Sequence, residues 1–166
     1  MSKKYNLYHL LFIFILGSLF HFIYAWSNEN FFIGLISPTN ESIFSHTKLF
    51  IIPTIIFYSL FYYQNRLILK KDKFFSSLII DLVTSISSMI LIYYSMRYGF
   101  NIESIIFDIF LFFLSILIGL KVSNHYYKYA RKTNSYTTKY IIFCNSHIFK
   151  HTVALFFATT STAYSN

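Results

Sequence analysis

The chain has 166 residues, of which 55% are hydrophobic and only 12% charged. A soluble domain carries roughly a quarter of its residues as charges, so this one lacks the polar surface to live in water. Its formal net charge of +8 needs no nucleic-acid partner, because lysines beside anionic lipid headgroups account for it.

The apolar residues come in long blocks. In chain order these predict membrane-spanning helices over about 7–26, 48–63, 74–98 and 102–122. Each provides, alone or with its flanks, the roughly 20 residues that cross a bilayer's hydrocarbon. A fifth segment, 140–158, is interrupted by Asn145, His147, Lys150 and His151. The expected fold class is therefore all-α, a polytopic transmembrane helix bundle forming a single integral membrane domain over 1–166.

Charge placement orients the spans. Lys3 and Lys4 precede the first, Arg66, Lys70, Lys71 and Lys73 separate the second from the third, and Lys121, Lys128, Arg131, Lys132 and Lys139 follow the fourth. The two intervening sides hold Lys48 and Arg97. Under the positive-inside rule this puts the N-terminus in the cytoplasm of a multi-pass cell-membrane protein. A signal peptide fits less well: the apolar run exceeds a usual h-region, and Ile23 spoils the small-residue site at Ala25, so the first span is expected to stay. Cys144 is the lone cysteine and leaves the redox compartment open.

Polar residues inside the spans need partners or water. On the third, Ser77, Asp81, Thr84, Ser85, Ser88 and Ser95 share one helix face at 100° per residue. Ser104, Asp108, Ser115 and Gly119 form a matching stripe on the fourth, and Gly17, Ser18, His21 and Ala25 a small-residue face on the first. These faces are expected to meet, since small and hydroxyl residues let helices approach and hydrogen-bond. Counting depth along each helix pairs His21 with Asp108 and gives His9 to Asp81. Such His–Asp contacts either glue a bundle or relay a proton or cation; glue is the plainer reading.

Between the first two spans lies SPTNESIFSHTKL. Pro38 prepares a turn, Asn40 is an N-cap candidate, and Glu41 and Ser42 would fall in the first turn, where the helix dipole favours a carboxylate. Lys48 would snorkel to the headgroups. Capping does not require Glu41, His46 and Lys48 together, which marks His21, Asn40, Glu41, Ser42, His46, Lys48 and Asp108 as a candidate cluster. Bringing His21, Glu41 and His46 together would allow a Zn²⁺ with an open position, hence a metal-dependent hydrolase; Glu103 could join them. Cys144, His147 and His151 share another helix face and are a second, weaker metal set, on a segment that either spans or lies in the interface. No H-E-x-x-H, G-x-S-x-G or Walker pattern occurs, and no cofactor is implied. The competing class is non-enzymatic: passage of a solute or ion, or binding of a membrane-protein partner, with a homo-oligomer expected if so small a chain transports.

The stretches HFIYAW and SPTNESIFSHTKL resemble the signature H-F-x-Y-x-W followed by P-x-N-E-S-x-W-x-H-x-K-L of a family of small multi-pass bacterial membrane proteins of unknown function, known from Firmicutes. His21, Tyr24, Trp26, Pro38, Asn40, Glu41, Ser42, His46, Lys48, Leu49 and Pro53 match it. Phe44 stands in for the tryptophan and Ala25 for a frequent acid. The resemblance runs from about Gly17 to Pro53, loosens through the fourth span and fades after Lys121. It implies architecture and carries no activity.

Overall fold

The computed structural model describes residues 3–40, 42–102 and 104–130. Among these there is no strand. Helix α1 covers Lys3–Trp26, two short helices α2 (Phe31–Ile36) and α3 (Ile43–His46) follow, and the long helices α4 (Lys48–Asn65), α5 (Lys71–Tyr94) and α6 (Ile105–Tyr129) complete the order, with a π-helical turn at Ser95–Gly99 closing α5. Four helical stretches are long and apolar enough to cross a membrane: Lys4–Trp26, Ile43–Asn65, Lys71–Gly99 and Ile105–Tyr129. The segment 140–158, with Cys144, His147 and His151, lies outside the described residues, as do Glu41 and Glu103.

The apolar runs predict the spans well, while the helices overrun them. Helix α6 continues to Tyr129, because Ser123 is buried and Asn124 Nδ2 donates to Asn6 Oδ1 on α1 at 2.8 Å. The exposed large side chains Leu7, Leu11, Ile15, Leu19, Phe22 and Trp26 recur along one face of α1, the pattern of a helix turned to lipid on that side.

Two glycines decide how closely the helices approach. A Cβ on Gly119 of α6 would lie 2.0 Å from Ser85 Oγ, 2.6 Å from Asp81 Oδ1 and 2.8 Å from the Asp81 carbonyl oxygen, so α6 presses its backbone onto α5 there. A Cβ on Gly17 would lie 2.7 Å from the Phe112 ring and 3.0 Å from the Leu49 carbonyl oxygen. That carbonyl belongs to the residue four before Pro53, which lies inside α4 and has no N–H to give it. Helix α1 thus packs against α4 at the carbonyl the proline has bared.

The core has two parts. Ile13, Leu49, Phe50, Met89, Leu111, Phe112 and Ile116, one or more from each long helix, form an apolar layer in the middle of the bundle. Tyr5, Phe57, Tyr58, Phe74 and Leu120 pack below it, toward the N-terminal end of the chain. Ser115, fully buried, sits within the middle layer, and most other buried polar groups lie to either side of it.

Candidate functional site

The polar groups beyond the middle layer, at the end opposite the N-terminus, sit on the connection between α1 and α4. Two contacts pin that connection to the long helices and a third holds it to itself. Ser37, which ends α2 in the extended conformation that Pro38 imposes on its predecessor, hydrogen-bonds through Oγ to the Phe20 carbonyl of α1. Lys48 Nζ donates to the Gly34 carbonyl of α2 at 2.7 Å. The Ser45 hydroxyl accepts from the Thr39 backbone N–H at 3.1 Å. Ser37, Ser45 and Lys48 are all buried.

Two sequence expectations change here. Lys48 does not snorkel; only 1% of it is exposed, because α2 folds back over it and offers a carbonyl where water would otherwise be needed. The second helix does not start at Asn40 either. Asn40 Oδ1 accepts from the Ser42 backbone N–H at 3.2 Å, closing an Asx turn, and the helix begins one turn later at Ile43 with Ser42 as its cap residue. Asn40, Ser42 and Lys48 therefore all have structural work.

What that work leaves is a pair of imidazoles. His21 on α1 and His46 on α3 have ring centroids 5.1 Å apart and planes inclined at 38°. His46 Nδ1 lies 2.9 Å from the Ser42 carbonyl oxygen. A carbonyl only accepts, so Nδ1 carries the proton, and in the neutral ring Nε2 keeps the lone pair. Asp108, in the first turn of α6, faces His46 and Arg97 electrostatically, and Arg97 itself lies over the Tyr93 ring at 5.4 Å on the π-helical turn. Such turns recur at functional sites. The depth count pairs His21 with Asp108; in the structure the His21 ring lies beside those of Phe22 and His46, the latter brought over α1 by the α2–α3 excursion. Among the described residues no three metal-ligating side chains converge.

The second polar centre lies on the N-terminal side of the middle layer and draws on all four long helices. His9 Nε2 of α1 is 2.7 Å from Asp81 Oδ2 of α5, a close charge contact rather than a well-aligned hydrogen bond. Tyr58 of α4 donates its O–H to the same oxygen at 3.0 Å and lies 3.5 Å from Ser123 Oγ of α6. Ser85 Oγ reaches Asp81 Oδ1 at 3.5 Å. His9 is the imidazole that the depth count gives to Asp81. Tyr58, Tyr5 and Ser123 have no signal in the sequence: 15 tyrosines hide the two that matter. The polar stripe of α5 is buried at Ser77, Asp81 and Ser85 only, and yields to Met89 above them, while Ser95 is exposed and returns its hydroxyl to the Leu91 carbonyl. The stripe is not a continuous path.

The family model for DUF6512, a family of unknown function, matches residues 1–160. The chain belongs to the DUF6512 family. The match runs well past Lys121, where the motif resemblance fades, and so takes in most of the basic, tyrosine-rich C-terminal segment. Neither the curated proteins nor the solved structures contain a match to this chain.

Proposed function

We propose that this DUF6512 member is an integral protein of the cell membrane, with its N-terminus in the cytoplasm, that binds a ligand at the outward end of the bundle through His21 and His46. The orientation rests on Lys4, Arg66, Lys70, Lys71, Lys73, Lys121 and Lys128 gathering at one end of the bundle, with α5 and α6 joined there by the Lys73 hydrogen bond to the Ala130 carbonyl. On that orientation the His21–His46 pair opens outward, and the apolar middle layer separates it from the inner centre. The ligand is a solute, an ion or a partner taken from outside, and the geometry fits a divalent cation best.

The observation that carries this is the anchoring of His46. Two imidazoles on one tetrahedral Zn²⁺, with Zn–N bonds of about 2.0 Å, bring their ring centroids to about 5 Å of each other. The observed 5.1 Å agrees with that. Stacked rings reach a similar spacing, so spacing alone does not decide. The Nδ1–H bond from His46 to the Ser42 carbonyl is what metal-ligating histidines characteristically make, fixing the tautomer that offers Nε2 to the metal.

Calorimetric titration of the detergent-purified protein with Zn²⁺ tests the reading. Wild type binds one equivalent, and His46→Ala lowers the affinity at least tenfold. Equal affinity in the two proteins removes the metal from this site and leaves a solute or partner. The hydrolase reading adds Glu41 to His21 and His46 as the group that would activate a metal-bound water. Loss of ester or peptide hydrolysis in Glu41→Gln, with Zn²⁺ still bound, would establish it.

A further inference from the structure

The connection between α1 and α4 does not stay at the rim of the bundle. The apolar stretch Lys4–Trp26 is about 34 Å long at 1.5 Å per residue, slightly more than the roughly 30 Å of a bilayer's hydrocarbon. Its end at Trp26 therefore lies close to one membrane boundary. Phe20 is six residues back from that end, about 9 Å deeper. Ser37 hydrogen-bonds through Oγ to the Phe20 carbonyl, so the chain that leaves α1 at the boundary has come back down to Phe20 by the end of α2. Helix α2 has six residues and is about 9 Å long, which is the drop required.

The side chains of α2 suit that depth. Its sequence, FFIGLI, carries no charged or hydrogen-bonding side chain. Phe31 is 54% exposed and Phe32 74%, next to the level of Trp26, which is 70% exposed. Phe22 stacks on Trp26 with centroids 6.0 Å apart, so the lipid-facing stripe of α1 runs up to the start of α2. Aromatic side chains collect at this level of membrane proteins. The hydrogen bonds agree. At membrane depth, backbone outside the long helices persists only where the protein supplies the partners that water would. Asn30 Oδ1 accepts from the Phe32 N–H at 2.9 Å at one end of α2, and Lys48 Nζ donates to the Gly34 carbonyl at 2.7 Å toward the other. In water that carbonyl would need no lysine; out of water's reach, leaving it bare is costly.

We propose that α2 is a re-entrant element seated in the lipid leaflet at this end of the bundle, with Phe31 and Phe32 against acyl chains. The partner of this surface is lipid, and Lys48 is buried because it serves a backbone carbonyl that water does not reach. The proposal depends neither on which end of the bundle faces the cytoplasm nor on a ligand at the two histidines. It sets His21, the neighbour of Phe20 along α1, below the level of Trp26 rather than on the water-facing rim.

Trp26 is the single tryptophan of the chain, so Phe32→Trp in a Trp26→Phe background puts one fluorophore on α2. Reconstituted into phosphatidylcholine vesicles, the protein is read against two quenchers: bromine atoms on the acyl chains, near their headgroup end, and iodide in the water on both faces. The expected result is a loss of emission to the brominated lipid that exceeds the loss to iodide by about twofold, as for an aromatic ring at or below the headgroup level. Iodide quenching that matches or exceeds that of bromine overturns the proposal and leaves α2 in water, or in the cell beneath a protein partner. Should the double variant fail to reconstitute, single cysteines in a Cys144→Ser background decide. In the same vesicles a water-soluble maleimide that does not enter lipid should label Ser27→Cys and spare Phe32→Cys, despite the exposure of that position in the bundle. Equal labelling of the two rules the proposal out.

Discussion

Gly119→Ala is the substitution on which the packing of this bundle can be judged. The added methyl would start 2.0 Å from Ser85 Oγ, 2.6 Å from Asp81 Oδ1 and 2.8 Å from the Asp81 carbonyl oxygen. Ser85 can rotate away, and the Asp81 carboxylate can move only by weakening its contacts with His9 and Tyr58. The backbone oxygen cannot move unless the helix does, so α6 must withdraw from α5 by roughly half an ångström, enough to forfeit a quarter or more of the dispersion attraction across the gap. Overpacking of this kind costs about 1–3 kcal/mol, and alanine's better helix propensity returns up to about 1 kcal/mol. A net loss of about 1–2 kcal/mol, or roughly 5- to 30-fold in the folded-to-unfolded ratio, is expected. Equilibrium unfolding in mixed micelles measures it. Ser85→Ala added to Gly119→Ala should recover less than half of the loss, because the carbonyl clash persists. Gly119→Ala at or above wild-type stability would refute the close α5–α6 approach and the geometry around Asp81 with it.

Gly17→Ala should be milder, about 1 kcal/mol, since the nearest atom is the movable edge of the Phe112 ring; the same unfolding assay ranks the two. Lys48→Met keeps the stem but removes the bond to the Gly34 carbonyl, a loss of about 1.5–3 kcal/mol for a hydrogen bond to a charged group. Limited proteolysis should then cut residues 27–42 faster, and unchanged cutting would mean that α2 does not rely on Lys48. His21→Ala should weaken Zn²⁺ binding as much as His46→Ala does, at least tenfold, and calorimetry showing one histidine dispensable would break up the pair. Cysteines placed singly at Ser27 and Leu67 of a Cys144→Ser background should react with an impermeant maleimide in intact cells at the first and not the second, and the reverse pattern would invert the topology.

The spans are legible in the sequence because a bilayer leaves helices little freedom: a run of apolar residues of sufficient length is already most of the structure. The contact between His9 and Asp81 is legible for the same reason, since depth along a straight helix can be counted. The connection between α1 and α4 is not. Its local signals, Pro38, Asn40 and Ser42, mark a turn and a helix start but misplace the cap, which is Ser42 rather than Asn40, and they do not say that the chain folds back and buries Lys48 under α2. That fold-back depends on Ser37 reaching the Phe20 carbonyl and Lys48 reaching the Gly34 carbonyl, contacts between backbone and side chain that no periodicity records. The same excursion carries His46 to His21, and Asp108 faces Arg97 and His46 electrostatically. Tyr58 was hidden for a different reason: in so tyrosine-rich a chain, residue type alone carries little information.

Capacity to take up Zn²⁺ in a titration is weaker evidence than what the protein carries when it is made. The decisive measurement is therefore the elemental content of protein purified in detergent without chelators, by inductively coupled plasma mass spectrometry, for wild type, His21→Ala and His46→Ala prepared side by side. A divalent transition metal near one per chain in wild type and absent from both variants is the predicted result. The same trace metal in all three, or none in any, would contradict a cation site at His21 and His46.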